Sequence, residues 1–359
     1  MKHGVLLIGC GNMANVHCHA LAAMPNVRLT SAVDLDIERA KKFKSAYGFE
    51  RINTDYKQEL EKTDIDIVLV ATHWRTRFEI IKDCFAAGKH VLAEKPLSVY
   101  LDEVDALFAM ANEKELKLRV GMMERFRPMF LKMCELLKQD AIGFPLVYNF
   151  IHHQSSSISG LEAGWKYSWG LLQGGVTPNI DCGIHKCDLV RMLSGADAAW
   201  VMSHGLKLEP DSPSNNYTHS VFHMNNGAVI TLEDCWSRNT RPEILMWILG
   251  DKGRMGFEYA GVHALPSRAS EEDCIRLWRR ELPGSETYHT PAVTKPVGPQ
   301  METFIKEIET NADMNWHYAN VRKATEMVMA SALSEKRDEI VHFPLTAKDI
   351  KEIKTLIKK

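Results

Sequence analysis

A chain of 359 residues with 45% hydrophobic content is long enough for two domains and can bury a sizeable core. A formal net charge of −2, with no basic stripe or Lys/Arg block, gives no electrostatic support for nucleic-acid binding. The chain enters an apolar run almost at once, without a signal-peptide pattern. No apolar run approaches the roughly 18 residues of a membrane helix. The eight cysteines show neither C-x-x-C pairing nor zinc spacing. The expectation is a cytoplasmic protein with free thiols, no bound metal and no membrane or nucleic-acid partner.

In chain order, Val5 to Ile8 reads as a buried parallel strand. It breaks at Gly9-Cys10-Gly11-Asn12-Met13-Ala14, and a helical pattern follows. This is strand, glycine turn, helix with G-x-G-x-x-A spacing. Gly9 allows the tight turn, and Gly11 lets the backbone approach a pyrophosphate. Small Ala14 lets the helix pack closely, so that the N–H groups around Asn12 and Met13 face the phosphates. A second strand, Val27 to Val33, ends at Asp34, a suitable distance on for a ribose hydroxyl acceptor. Helix Ile37 to Tyr47, strand Ile65 to Val70, helix Arg75 to Ala87, strand His90 to Ala93, helix Leu101 to Glu113 and strand Leu118 to Gly121 follow. Alternating β and α predicts a parallel sheet covered on both faces, with ligands at the carboxyl ends of the strands. Gly9, Asp34, Thr72 and Lys95 all lie at such ends.

From about residue 123 the rhythm changes. A helix over Pro128 to Lys138, a strand over Leu146 to His153, a loop over 154–177 and a helix over Asn179 to Leu193 lead into successive strands. His219 to His223 and Ala228 to Trp236 flank Asn225-Asn226-Gly227, a hairpin signal. Ile244 to Leu249 and Arg254 to Tyr259 flank a second hairpin. Residues 283–299 read as an exposed loop. Helices over Gln300 to Thr310 and Trp316 to Lys336, a strand over Ile340 to Phe343 and a basic amphipathic helix from Thr346 complete the chain. The fold class is an α/β Rossmann domain over 1–122, followed by an α+β domain over 123–359 with a large, open, mainly antiparallel sheet. The C-terminal helices are free to pack back on the first domain.

Two clusters carry chemistry. Glu94-Lys95-Pro96 puts a lysine at a strand's carboxyl end, with Pro96 fixing the backbone behind it; a surface lysine paired with Glu94 is the plainer alternative. Asp181-Cys182-Gly183-Ile184-His185 puts a carboxylate and an imidazole on one helix face, and an imidazole titrates near neutrality. Read alone, the favoured reading is the plain one, an ordinary helix histidine and a first-turn carboxylate placed by the helix dipole. Gly174-Gly175 before them permits close approach to a ligand.

Gly9-x-Gly11-x-x-Ala14, Asp34, Ala71-Thr72, Gly88-Lys89-His90-Val91-x-x-Glu94-Lys95-Pro96, Gly121-x-x-x-Arg125-Phe126-x-Pro128, Gly143-x-Pro145 and Asp181-x-Gly183-x-His185-x-x-Asp188-Leu189 occur in that order. Asn226-Gly227-Ala228 and Gly250-x-x-Gly253 follow. Over nearly the whole chain this pattern resembles the glucose–fructose oxidoreductase and inositol dehydrogenase family. The resemblance implies an NAD(P)-dependent dehydrogenase of a sugar, sugar derivative or cyclitol, with Lys95, Asp181 and His185 as the catalytic triad. It also implies a homodimer or homotetramer formed through the second-domain sheet. NAD is favoured over NADP because Asp34 repels a 2′-phosphate and neither Leu35 nor Asp36 supplies an arginine. Cofactor contacts are expected from Gly9, Gly11, Asn12, Met13, Asp34, Thr72, His73, Trp74, Glu94 and Lys95. A small polyhydroxylated substrate is expected to meet Arg125, His153, Trp165, Lys166, Asp181 and His185, with His152 and Trp236 as further candidates.

The chain departs from the family pattern at Thr72-His73-Trp74 (often Thr-Pro-Asn), at Phe78 (usually His) and at Gly175-Val176-Thr177 (a triple glycine). These departures bear on the substrate more than on the cofactor. Two other functions use the same fold: NAD-dependent glycoside hydrolysis by transient sugar oxidation, and non-catalytic dinucleotide sensing. Retention of Lys95, Asp181 and His185 argues against a sensor.

Overall fold

The computed structural model describes residues 2–155, 177–210, 212, 214–237, 240, 243–260, 272–293 and 295–357. It divides into two compact units, Met1–Met123 with Lys295–Arg322, and Glu124–Thr294 with Lys323–Lys359. Among the described residues no helix is long and apolar enough to cross a membrane.

The first unit is built on a six-stranded parallel sheet. β1 (His3–Ile8), β2 (Val27–Val33), β3 (Arg51–Asn53), β4 (Ile67–Val70), β5 (His90–Ala93) and β6 (Leu118–Val120) lie in the order β3-β2-β1-β4-β5-β6. The reversal at β1/β4 is the switch point at which open α/β sheets bind ligands. β1 and β4 are nearly continuous apolar runs because both their faces are covered. Around the sheet run α1 (Asn12–Leu21), α2 (Ile37–Tyr47), α3 (Tyr56–Leu60), α4 (Trp74–Ala86) and α5 (Leu101–Glu113). The α2 limits match the sequence reading because both ends are chemically marked. The Asp36 carboxylate accepts the Glu38 N–H at the start, and Gly48 takes the left-handed conformation at the end.

α8 (Val297–Glu309) completes this unit. Its Met301, Phe304 and Ile305 join Val5, Leu7, Ala14, Cys18 and Leu69 in one buried cluster. Polar contacts fix it further. Arg119 on β6 pairs with Glu307, and the Gln300 amide donates to the Val120 carbonyl at 3.0 Å.

The second unit carries a nine-stranded sheet. β7 (Pro145–Ser155), β8 (Ala198–Leu206), β9 (Tyr217–Met224), β10 (Val229–Ser237), β11 (Glu243–Gly250), β12 (Gly253–Ala260), β13 (Glu272–Arg279), β14 (Glu286–Pro291) and β15 (Val341–His342) have the order β14-β13-β12-β11-β7-β10-β9-β8-β15. All neighbours are antiparallel except β7 and β10, so the sheet is mixed. Strand residues alternate between two faces. One face carries Tyr148, Phe150, Leu232 and Met246, all buried. Against it pack α6 (Pro128–Lys138), through the Phe130–Phe257 edge contact at 5.7 Å, and α7 (Ile184–Ser194). The other face carries Trp200 stacked on His223 and Trp247 beside Trp278, with Arg254 over both indoles. α9 (Asn315–Arg337) divides between the units after Arg322, and α10 (Ala347–Leu356) starts in a Thr346–Asp349 capping box.

Two readings need correction. Residues 283–299 are not one loop, since β14 occupies Glu286–Pro291. Asn179 to Leu193 is not a single α-helix, since a π-helical turn, Asn179–Gly183, precedes α7. β3, α3, β8 and β13 were not anticipated. The loop predicted over 154–177 lies, apart from its ends, outside the described residues.

Because Phe304 is fully buried where α8 meets the first unit's core, Phe304→Ala should cost about 3–5 kcal/mol. Denaturant unfolding reads this directly. A loss near zero would show that α8 is not part of that core in solution.

Candidate active site

The glycine turn is shaped by close packing. Gly9 has φ +94°, and a Cβ there would lie 3.0 Å from Thr72 Cγ2 and 3.1 Å from the Ala71 carbonyl, so only glycine fits between β1 and the end of β4. At Gly11 the opposite holds. A Cβ would meet nothing within 4 Å. The N-terminus of α1 that opens there has neither a side-chain cap nor an acidic residue in its first turn. Free N–H groups, a positive dipole end and open space are what a pyrophosphate requires. Asp34 is held beside this turn, its two oxygens accepting the Cys10 N–H at 2.8 Å and the Asp36 N–H at 2.9 Å. The residues present therefore fit a dinucleotide.

Thr72, His73 and Trp74 lead into α4. The Thr72 carbonyl accepts Arg77 Nε at 2.9 Å and Nη2 at 2.6 Å. His73 caps the helix through Nδ1. Burial first, then the charges of Arg77 and Arg75, pull its pKa down to about 4, so the ring is neutral at pH 7. Trp74 is buried edge-on against Tyr100, with ring centroids 6.0 Å apart, and Arg75 lies over its face.

The Glu94-Lys95-Pro96 segment is clamped. Glu94 is 4% exposed. Its Oε1 is 2.6 Å from His17 Nε2, and its Oε2 accepts the Lys95 N–H at 3.2 Å. A Cβ on Gly121 would come within 3.3 Å of the same carboxylate, so β6 approaches it through bare backbone. Arg77 Nη1 donates to the Glu94 carbonyl at 2.5 Å and also to the Pro96 carbonyl. The Lys95–Pro96 peptide is cis. The backbone on both sides of Lys95 is thus held by groups from α1 and α4. Burial opposes ionisation of Glu94, but the His17 hydrogen bond with the charges of His17, Arg77 and Lys95 outweighs it and holds the pKa at about 2. His17 and Arg77 were missed in the sequence. The signal was present for His17, which falls three residues after Ala14 on the buried face of α1.

In the second unit, Asp181 lies in the π-helical turn and His185 four residues on in α7; Asp181 is buried and His185 half-buried. Such turns occur frequently at functional sites. Beneath the turn is a second buried set. Lys186 pairs with Asp234 of β10, and its ammonium lies 5.5 Å over the Phe150 ring. Ligand-type atoms of His152, Cys182 and Asp234 lie within 4.8 Å of one another, with the Lys186 ammonium as the cation on Asp234. Asp234 is raised to about 6, by burial above all, with Lys186 acting in the opposite direction and Asp181 adding to the rise. The Asn179 side-chain amide is buried with no hydrogen-bond partner among the described residues.

The expected substrate residues divide. Strand alternation puts His153 on the sheet face away from α7, 2.7 Å from Glu233 and 3.3 Å from Thr240 Oγ1. His152 and Gln154 take the α7 face, 3.2 Å apart. Arg125 is engaged with Asp188 at 2.6 Å. Trp236 is buried in the sheet core. Trp165, Lys166 and Gly174-Gly175 lie outside the described residues.

Two shifts in the first unit have signs that acid titration reads. Glu94 has its folded pKa depressed from 4.5 to about 2. It contributes on the order of 3 kcal/mol above pH 4.5, a contribution lost as pH falls toward 2. His73, lowered from 6.5 to about 4, adds an earlier loss as pH falls through that window. Glu94→Gln should therefore be less stable than wild type at pH 7, with the gap closing below about pH 4.5. A gap that stays constant in denaturant unfolding across that range would contradict this assignment.

Residues 3–122 match the family described as oxidoreductase family, NAD-binding Rossmann fold, and residues 130–256 match the GFO/IDH/MocA C-terminal domain. The chain is 28% identical over 205 residues to the myo-inositol 2-dehydrogenase of Thermotoga maritima, covering 57% of this chain and 58% of that protein. It is 29% identical over 209 residues to the scyllo-inositol 2-dehydrogenase (NAD(+)) of Bacillus subtilis, with the same coverage. The match thus spans less than two thirds of either relative. In fold it is similar to a levoglucosan dehydrogenase solved in complex with NADH and levoglucosan, at a TM-score of 0.82 and 21% identity, covering 96% of this chain and 100% of that one. With both of its domain types matched, the chain belongs to the Gfo/Idh/MocA family of oxidoreductases, and its N-terminal domain is an NAD-binding Rossmann fold.

Proposed function

We propose that this protein is an NAD-dependent dehydrogenase that oxidises a secondary alcohol of a cyclitol or sugar. The observation that carries the reading is the clamp on Lys95. A buried carboxylate, an imidazole and a guanidinium hold the backbone of one strand-end lysine inside a dinucleotide-binding fold. A surface lysine requires no such support.

NAD, when bound on Gly9, Gly11 and Asp34, supplies the hydride acceptor. The chain's own residues manage the proton. The Lys95 ammonium donates to the carbinol oxygen and stabilises the alkoxide character that grows as the hydride leaves. His185 takes the hydroxyl proton, and Asp181 accepts hydrogen bonds from substrate hydroxyls and orients them. On β7, His152 and Gln154 are better placed than His153 to meet a polyol, because they share the sheet face against which α7 packs. The names of the inositol and levoglucosan dehydrogenases favour a polyhydroxylated ring. The indole-rich outer face of the nine-stranded sheet supports self-association through that face.

Wild-type protein should reduce NAD with at least one member of a panel of inositols, aldoses and anhydrosugars. Lys95→Ala should cut turnover by about 10²–10⁴-fold while NAD affinity changes little. Equal losses in turnover and cofactor affinity would overturn the role of Lys95. Consumption of aryl glycosides without net NADH would favour transient oxidation with elimination.

Asp34 gives a separate test. Asp34→Ala should weaken NAD by about tenfold or more, the value of a charge-assisted hydrogen bond of 1.5–3 kcal/mol, and should narrow the preference over NADP. Unchanged discrimination in a titration of both cofactors would remove Asp34 from the ribose site.

A further inference from the structure

The buried Lys186–Asp234 pair lies outside the dehydrogenase roles assigned above. The two side chains are 2% and 1% exposed. A buried ion pair is poor value for stability alone, because desolvating both charges costs about as much as their attraction returns, and an apolar pair of the same volume generally serves as well. Its location supplies a different reason. Asp234 Oδ1 takes the Lys186 ammonium. Its other oxygen lies against the backbone of Gly183, where a Cβ would approach to 3.2 Å. The carboxylate therefore touches the π-helical turn at its last residue and α7 at its third, on either side of His185 in sequence.

We propose that Lys186 and Asp234 are positioning residues for the Asp181–His185 turn: Asp234 braces the turn from the sheet, and Lys186 balances the charge that Asp234 would otherwise present to Asp181. This deepens the dehydrogenase reading and rests on it for the roles of Asp181 and His185. The groups facing Asp234 are Lys186 and Cys187 from α7, Asp181 and Cys182 from the π-helical turn, and His152 from β7, while His153 acts on it only through the field from the opposite face of the sheet. Lys186 is the permanent cation among them. Two carboxylates in so dry a place compete for ionisation, and the ammonium relieves that competition. The coupling between Asp181 and Asp234 and the elevation of Asp234 by burial agree with this. The turn is further confined by Gly183, where any side chain would strike the Asn179 amide oxygen.

The test uses the full-length protein with 13C-labelled aspartate carboxyls, the Asp234 resonance being assigned by its loss in Asp234→Asn. Lys186→Met removes the cation at similar volume, and the Asp234 titration midpoint should rise by about one pH unit. Asp181→Asn removes the competing carboxylate, and the midpoint should fall by about one unit. In Lys186→Met with Asp181→Asn the two changes should offset each other. A midpoint that stays at the wild-type value in folded Lys186→Met or folded Asp181→Asn overturns the proposal. A thermal midpoint that falls in Lys186→Met while the Asp234 titration is unmoved marks the pair as structural and overturns it equally. The resonance titration needs neither cofactor nor substrate. A protein that oxidises no polyol but shows these shifts would refute the dehydrogenase reading and leave the electrostatic coupling standing.

Discussion

The first unit depends on a charge that burial should forbid. Glu94 is taken out of water at the end of β5, and desolvation alone would neutralise it. It stays ionised because His17 from α1 hydrogen-bonds it and the cations of Arg77 and Lys95 surround it. The constraint then propagates. α1 must carry His17 to Glu94, and because Gly11 at its start has no side chain the helix's N-terminal N–H groups are left without a side-chain cap. β6 must approach through Gly121 because a side chain would crowd the carboxylate. Arg77 must cross from α4 to hold the carbonyls on both sides of Lys95. Cofactor turn and strand-end lysine are thus two ends of one buried network.

The second unit answers a similar problem with different residues. Here the buried carboxylate is Asp234, its cation is Lys186, and the element they brace is a helical turn rather than a strand end. In both units an acid buried in the scaffold lies against the backbone that carries a candidate site residue, Lys95 in the first and His185 in the second. Rigid supporting groups of this kind are what the alignment of reacting atoms demands, since small displacements are expensive in rate.

Sequence patterns carried the fold where the physics is local. α2 was legible to the residue because Asp36 and Gly48 mark its ends, and β1 and β4 because strands buried on both faces are nearly unbroken apolar runs. Elements that depend on a partner were not legible. β14 reads Glu-Thr-Tyr-His-Thr-Pro, largely polar, and becomes a strand by pairing with β13, which was itself unread. β3 has only three residues and depends on β2. The π-helical turn differs from an α-helix in hydrogen-bond register, which apolar periodicity does not encode.

The same division holds for the site. By itself the sequence determined the family and the strand–glycine turn–helix that opens its first domain, and it singled out Asp34, Lys95, Asp181 and His185 as candidates, because each of these patterns depends on spacing within a few positions of the chain. The tertiary structure alone decided which groups support them. His17 and Glu94 are 77 residues apart, Lys186 and Asp234 48. Nothing local distinguishes a buried, paired charge from a solvated one; only the packing that removes the water does. Strand parity likewise turned His153 toward Glu233 and His152 toward Asp234, a choice of face that one residue of register makes and that a pair of adjacent histidines leaves open.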